Sequence, residues 1–273
     1  MNNGSYCIYL TGGSGQIGSS VRKIFHRKRI KVVLLTRSYL KPFSNETLKE
    51  YQLGDSASIN CKNEHSILIH LAHDYSDSRI GPENINTKGL RFLLASFENF
   101  RSFRTVFLST PIKKDLRNTL YQEQKWLGEK ICAKRNSIIL KPSFVFSKDK
   151  GVNRIFYFLS KYGIPIPLPK VDSRLAPILA ADLAKLICSD KILEKTEGSY
   201  LVIGKEKMRL DQFLTRYHGL KSFYLPNFVV RIIIRMLSLI NVNFCFYLKE
   251  RVLGLTYLID IDELGSNEKE IVI

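Results

Sequence analysis

Apolar and polar positions along the 273-residue chain fall into alternating strand-like and helix-like blocks. Residues 6–10 (YCIYL) are aromatic and β-branched, as a buried strand is. A glycine-rich turn follows, and beyond it Ile17, Val21, Ile24 and Phe25 recur at helical spacing. Residues 30–37 (IKVVLLTR) read as a second strand and close a β-α-β unit. Strand-like runs return at 66–73 (SILIHLAH), at 105–110 (TVFLST) and at 137–147 (SIILKPSFVFS), the last broken by Pro142. Helical periodicity fills 86–100 and 120–134 between them. This alternation predicts an α/β fold, a doubly wound parallel sheet with helices on both faces.

The pattern changes after residue 147. Residues 162–170 (YGIPIPLPK) are proline-rich and read as loop, 176–190 return to strand then helix, and 198–204 (GSYLVIG) read as one more strand. We expect residues 1–147, completed by roughly 176–204, to form the main domain. Residues 148–175 and 205–273 are expected to form a smaller substrate-binding lobe. Residues 227–248 are strongly apolar yet carry Arg231 and Arg235 four positions apart, on one helical face. That segment reads either as a helix covering the lobe, with both arginines exposed, or as a helix lying in a membrane interface. Arginines near its middle argue against a spanning helix.

Composition narrows the classes. At 45% hydrophobic residues the chain buries a real core. Five scattered cysteines without a CxxC pair suggest neither a disulfide framework nor a metal site. The glycine turn begins so close to the N-terminus that we expect no secretory leader and a cytoplasmic protein, with membrane association as the open addition. The formal charge of +17 fits nucleic acid, an anionic membrane surface or an anionic small substrate. No basic run interleaves with aromatics and no recognition helix is evident, so nucleic acid is the least favoured partner.

Two stretches carry chemistry. In residues 9–20 (YLTGGSGQIGSS), Gly12, Gly15 and Gly18 sit where a strand turns into a helix. Glycines there permit a tight turn, close approach of a pyrophosphate and close helix–strand packing, while the helix N-terminus offers free N–H groups. A turn without a ligand is the plain alternative. Tyr121 and Lys125 are spaced i, i+4, so a helix puts them on one face. A nearby ammonium favours the phenolate and makes the tyrosine a general acid/base. Ser109 and Thr110 end a strand, where sites of parallel sheets open.

Taken in order, these stretches resemble the extended short-chain dehydrogenases/reductases of the nucleotide-sugar epimerase/dehydratase group. TGGSGQIG, GDSAS, IHLAH, NTKGLRFLL, FLST, YQEQK, LKPSFVF and ILAADLA match that family's elements in family order along nearly the whole chain. The resemblance implies a Rossmann-type fold binding a nicotinamide dinucleotide. It implies Tyr121 as acid/base, Lys125 as ribose ligand and modulator of Tyr121, and Thr110 as donor to the substrate oxygen. Gly12, Gly15, Gln16, Ile17 and Gly18 would wrap the pyrophosphate and Asp55 would accept from the adenine amino group. Leu71 and Ala72 would line the cofactor, Asn86 would hold the strand below the site, and Pro142 and Ser143 would lie beside the nicotinamide.

Departures from the family pattern refine this. The second strand ends in Thr36, Arg37 and Ser38 with no carboxylate. A guanidinium there suits the 2′-phosphate of NADP, the alternative being NAD with Arg37 stacked on adenine. His73 replaces a small alanine and narrows the pocket. STPIKK carries no Asp-Glu pair after Thr110, which argues against 4,6-dehydration. We therefore expect an NADP-dependent 4-keto-sugar reductase acting on a nucleotide-activated sugar. The alternatives are a 4-epimerase with tightly bound NAD, or a non-catalytic member serving assembly near a membrane. A homodimer is the expected assembly, and Arg154, Lys170 and Arg174 are candidate phosphate contacts.

Overall fold

The structure is a computed structural model. It describes residues 6–56, 59, 65–100, 102–112, 119–147, 152–169, 173–195, 197–239 and 269–273. In chain order the first half runs β1 (Tyr6–Thr11), α1 (Gln16–Arg27), β2 (Val32–Thr36), β3 (Glu46–Glu50), β4 (His65–His70), α2 (Ile85–Ala95), β5 (Ser102–Leu108), α3 (Leu120–Cys132) and β6 (Ser137–Pro142). The second half runs β7 (Phe144–Phe146), α4 (Val152–Lys161), β8 (Ile166–Pro169), β9 (Arg174–Leu175), β10 (Pro177–Leu179), α5 (Ala180–Ile187), α6 (Asp190–Leu193), β11 (Gly198–Ile203), β12 (Met208–Arg209), α7 (Leu210–His218), β13 (Ser222–Leu225), α8 (Asn227–Leu239) and β14 (Lys269–Val272).

Among the described residues eight strands form one all-parallel sheet in the order β14-β11-β6-β5-β4-β1-β2-β3. The α/β reading of the sequence is correct. Alternation along the strands supplies both faces. Ile8 and Leu10 of β1 join Val21 and Phe25 of α1 in one core, whereas Cys7 and Tyr9 join Leu90 and Leu94 of α2 in the other. The order reverses between β1 and β4, which opens a crevice at their C-terminal ends. Arg22 of α1 fixes the sheet's far edge, donating to both carboxylate oxygens of Glu46 at 2.9 and 2.7 Å.

Two sequence expectations need correction. The proline run holds β8, whose residues 166–169 pair in parallel with β13. Pro167 and Pro169 alternate with Ile166 and Leu168, so the missing N–H groups fall on the side away from β13. The chain's last strand also leaves the expected lobe: β14 pairs with β11 and extends the main sheet. The remaining small strands surround a separate apolar cluster that includes Phe146, Leu168, Leu175, Met208, Phe213 and Leu214. The helix read over 227–248 is described to Leu239, and the rest of it lies outside the described residues.

Helix α3 starts at a capping box. The Thr119 hydroxyl accepts from Gln122 N–H at 3.1 Å, and Gln122 Oε1 accepts from Thr119 N–H at 3.2 Å. One face of α3 lies almost against β5, because a Cβ on Gly128 would sit 2.5 Å from Phe107 Cζ. Gly128→Ala is therefore an overpacking change, with an expected loss of about 1–3 kcal/mol. Urea denaturation measures it, and an unchanged midpoint would show that α3 is not held this close.

Candidate active site

The glycine turn leaves β1 directly into α1. Gly12 has a φ of +71°, and a Cβ there would sit 2.7 Å from Ala72 N, beyond the end of β4. A Cβ on Gly18 would overlap the Gly12 carbonyl oxygen. The turn thus closes on itself and on Leu71–Ala72, at the sheet's crevice. Helix α1 begins after Gly15 with no side-chain cap and no acidic residue in its first turn. Its N-terminal N–H groups carry the positive end of the helix dipole uncompensated. Gln16 Nε2 is shielded from solvent without a hydrogen-bond partner. An anion seated on this turn answers all of these features, so the residues present fit a dinucleotide pyrophosphate.

Thr11, the last residue of β1, organises the loop after β4. Its hydroxyl accepts from the N–H groups of Leu71 and Ala72, both at 3.2 Å, and lies 3.0 Å from His70 Nδ1. With its lone pairs engaged, the hydroxyl donates its proton to Nδ1, leaving the His70 proton on Nε2. His70 is buried, and burial, reinforced by the Lys125 charge, drives its pKa down to about 3. Asn86 fixes the same loop further along. Its Oδ1 accepts from Asp74 N–H at 2.7 Å, and its Nδ2 donates to Asp74 O at 2.9 Å and to Gln124 Oε1 on α3 at 3.0 Å.

Tyr121 and Lys125 lie on α3 above the end of β5. Lys125 is 4% exposed and donates from Nζ to Leu108 O at 2.7 Å. Its ammonium lies 5.1 Å from the Phe107 ring centroid and 5.6 Å from that of Tyr121. Burial pulls the Lys125 pKa down to about 8, opposed by Cys132 and by Glu129 one turn further on. Tyr121 is half-buried between two rings. His73 meets it edge-on with centroids 4.8 Å apart, and Tyr75 stacks on it at 5.7 Å. A cavity of about 10 Å³, room for one water, lies beneath, lined by His70, Ala72, His73, Asn86, Phe107 and Lys125 among others.

The structure separates the two hydroxyls that follow β5. Ser109 is buried, and its Oγ donates to Glu129 Oε1. Glu129 also pairs with Lys141 of β6 at 2.9 Å. Ser109 is thus committed to a charged network within the fold, whereas Thr110 beside it is half-buried. Sequence reasoning missed this network, as it missed His70, Thr11, Tyr75 and Gln124. The one visible signal was Lys141, a charge inside an apolar strand.

The other expected site residues lie on several different elements. Pro142 ends β6, buried, and the Oγ of Ser143 accepts from Ala176 N–H at 3.3 Å. Gly54 packs against α2, and Asp55 beside it is exposed. Arg37, its side chain 73% exposed, makes a loose 3.8 Å pair with Asp74. Arg174 is exposed on β9, in register with Arg209 of β12. Lys170 and the Arg154 side chain lie outside the described residues. Among the described residues no group of three His, Cys, Asp or Glu could hold a metal.

Solved structures share this architecture. A hypothetical dTDP-4-dehydrorhamnose reductase from Sulfolobus tokodaii superposes with a TM-score of 0.61 at 20% identity, covering 80% of this chain and 85% of that one. The UDP-glucose 4-epimerase of Thermus thermophilus, in complex with NAD, gives 0.62 at 15% identity, with 81% and 86% covered. The dTDP-4-dehydrorhamnose reductase of Bacillus anthracis, in complex with NADP, gives 0.58 at 17% identity, with 83% and 85% covered. The fold is that of the sugar-nucleotide reductases and epimerases. It is the fold that the motif order in the sequence implies. No family model and no curated protein matches the chain.

The buried imidazole makes stability pH-dependent. His70 stays neutral in the folded state down to about pH 3, whereas unfolded histidine takes up its proton near pH 6.5. The unfolded state then binds the extra proton, so stability is lost as pH falls from about 6.5 toward 3, by up to about 1.4 kcal/mol per pH unit. Urea titrations of wild type and His70→Gln check this. The variant should lack that part of the slope, and equal slopes would mean that His70 takes up its proton in the fold.

Proposed function

We propose that the protein is an NADP-dependent reductase of a 4-keto sugar carried on a nucleotide. The observation that carries this reading is buried Lys125 one turn from Tyr121, beside the crevice closed by Gly12 and Ala72. In this reading a nicotinamide dinucleotide supplies the hydride. Gly12, Gly15, Gln16, Ile17 and Gly18 hold its pyrophosphate, Asp55 its adenine, and Leu71, Ala72 and Pro142 its remaining faces.

The chain's own residues handle the proton. As the carbonyl carbon is reduced, the Tyr121 hydroxyl gives its proton to the carbonyl oxygen, and Thr110 donates a hydrogen bond to that oxygen. Lys125 stabilises the resulting phenolate, a differential effect that a positioned charge exerts strongly away from water. Neutral His70 adds no competing cation beneath it. His73 and Tyr75 hold the Tyr121 ring from two sides, which limits its rotamers. The smaller lobe, from 148–175 and 205–239, carries the sugar nucleotide.

Arg37 supports NADP. No carboxylate ends β2, and the exposed pair with Asp74 is weak enough for a phosphate dianion to displace. The test is a titration of NADPH and NADH into wild type and Arg37→Ala, followed by assay of NADPH with 4-keto-sugar nucleotides. Wild type should bind NADPH more tightly, and the variant should lose about 10–100-fold for NADPH alone. Equal losses for the two cofactors, tighter NADH, or epimer interconversion with protein-bound NAD would contradict the reductase.

A further inference from the structure

The exposed face of α8 has no part in the site above. Phe228, Ile232 and Met236 are 65%, 51% and 60% exposed and recur every fourth residue. At about 100° per residue they form one stripe. Arg231 and Arg235, also exposed, flank that stripe on a single side. Val230 points the opposite way and is 4% exposed, so the fold packs under the helix and leaves this face out. Immediately before α8, Phe223 and Tyr224 of β13 are exposed as well. From 221 to 239 the chain carries Lys221, Arg231 and Arg235 and no acidic residue.

We propose that this face docks on the surface of an anionic lipid bilayer. Apolar side chains beside arginines are what a bilayer interface accepts: the former enter the acyl boundary while the guanidinium groups reach the headgroups. The whole chain, at +17, is drawn to such a surface. No helix among the described residues is long and apolar enough to cross a membrane, and the charges of Arg231 and Arg235 suit a helix lying along the interface. A second copy fits less well, because an antiparallel twofold contact through α8 brings the arginine-bearing edges of the two helices to the same side. Nucleic acid gives Ile232 and Met236 nothing to bury against.

Vesicle flotation of the full chain tests this, using phosphatidylglycerol–phosphatidylcholine vesicles and phosphatidylcholine vesicles. The protein should float with the anionic vesicles and much less with the neutral ones. Arg231→Gln with Arg235→Gln should weaken partitioning by about thirtyfold, at about 1 kcal/mol per basic residue. Phe228→Glu with Ile232→Glu should abolish it. Thermal melting keeps this interpretable: both variants should melt as wild type does, since these side chains are exposed. Absence of flotation, equal flotation with both vesicles, or unchanged flotation of the folded variants would overturn the proposal. So would a wild-type dimer in sedimentation velocity that Phe228→Glu with Ile232→Glu dissociates, since the face would then be a self-interface.

Discussion

A buried ammonium sets the constraint around which this fold is arranged. Lys125 lies under α3 with little access to water, and an unpaired charge there would cost several kcal/mol. The fold answers with the Leu108 carbonyl at 2.7 Å, the face of Phe107 and the Glu129 carboxylate one turn away. These partners are reachable because Gly128 lets α3 settle onto the Phe107 ring. Burial, reinforced by the same charge, keeps His70 neutral, and the ammonium lies 5.6 Å from the Tyr121 ring centroid.

The glycine turn depends on the same region. Gly12 abuts Ala72, Thr11 anchors the backbone of Leu71 and Ala72, and Asn86 fixes Asp74 two residues on. The loop carrying His73 and Tyr75 is therefore tied to β1, to α2 and, through Gln124, to α3. A displacement of the turn would be felt at the tyrosine. Two positive features, the uncapped start of α1 and the Lys125 ammonium, border one crevice, and that is the electrostatic arrangement an anionic dinucleotide requires.

Much of this was legible in the sequence because it was local. Strand–helix alternation, glycine spacing and the i, i+4 pair depend on near neighbours along the chain. What was missed depends on distant ones. Ser109 and Thr110 look equivalent until Glu129 and Lys141, from different elements, claim the first. Prolines at 167 and 169 read as loop until β13 supplies an edge whose ladder does not need their N–H groups. The terminal residues 269–272 carry no strong pattern and become a strand only beside β11.

The central claim is that Tyr121 moves the proton while Lys125 holds the phenolate. Single-turnover oxidation of NADPH by a 4-keto-sugar nucleotide, followed through nicotinamide absorbance in wild type and Tyr121→Phe, tests it most directly. The account predicts NADPH affinity unchanged and turnover lowered by about 10²–10⁴-fold. Near-normal turnover in a variant that binds NADPH normally would contradict it.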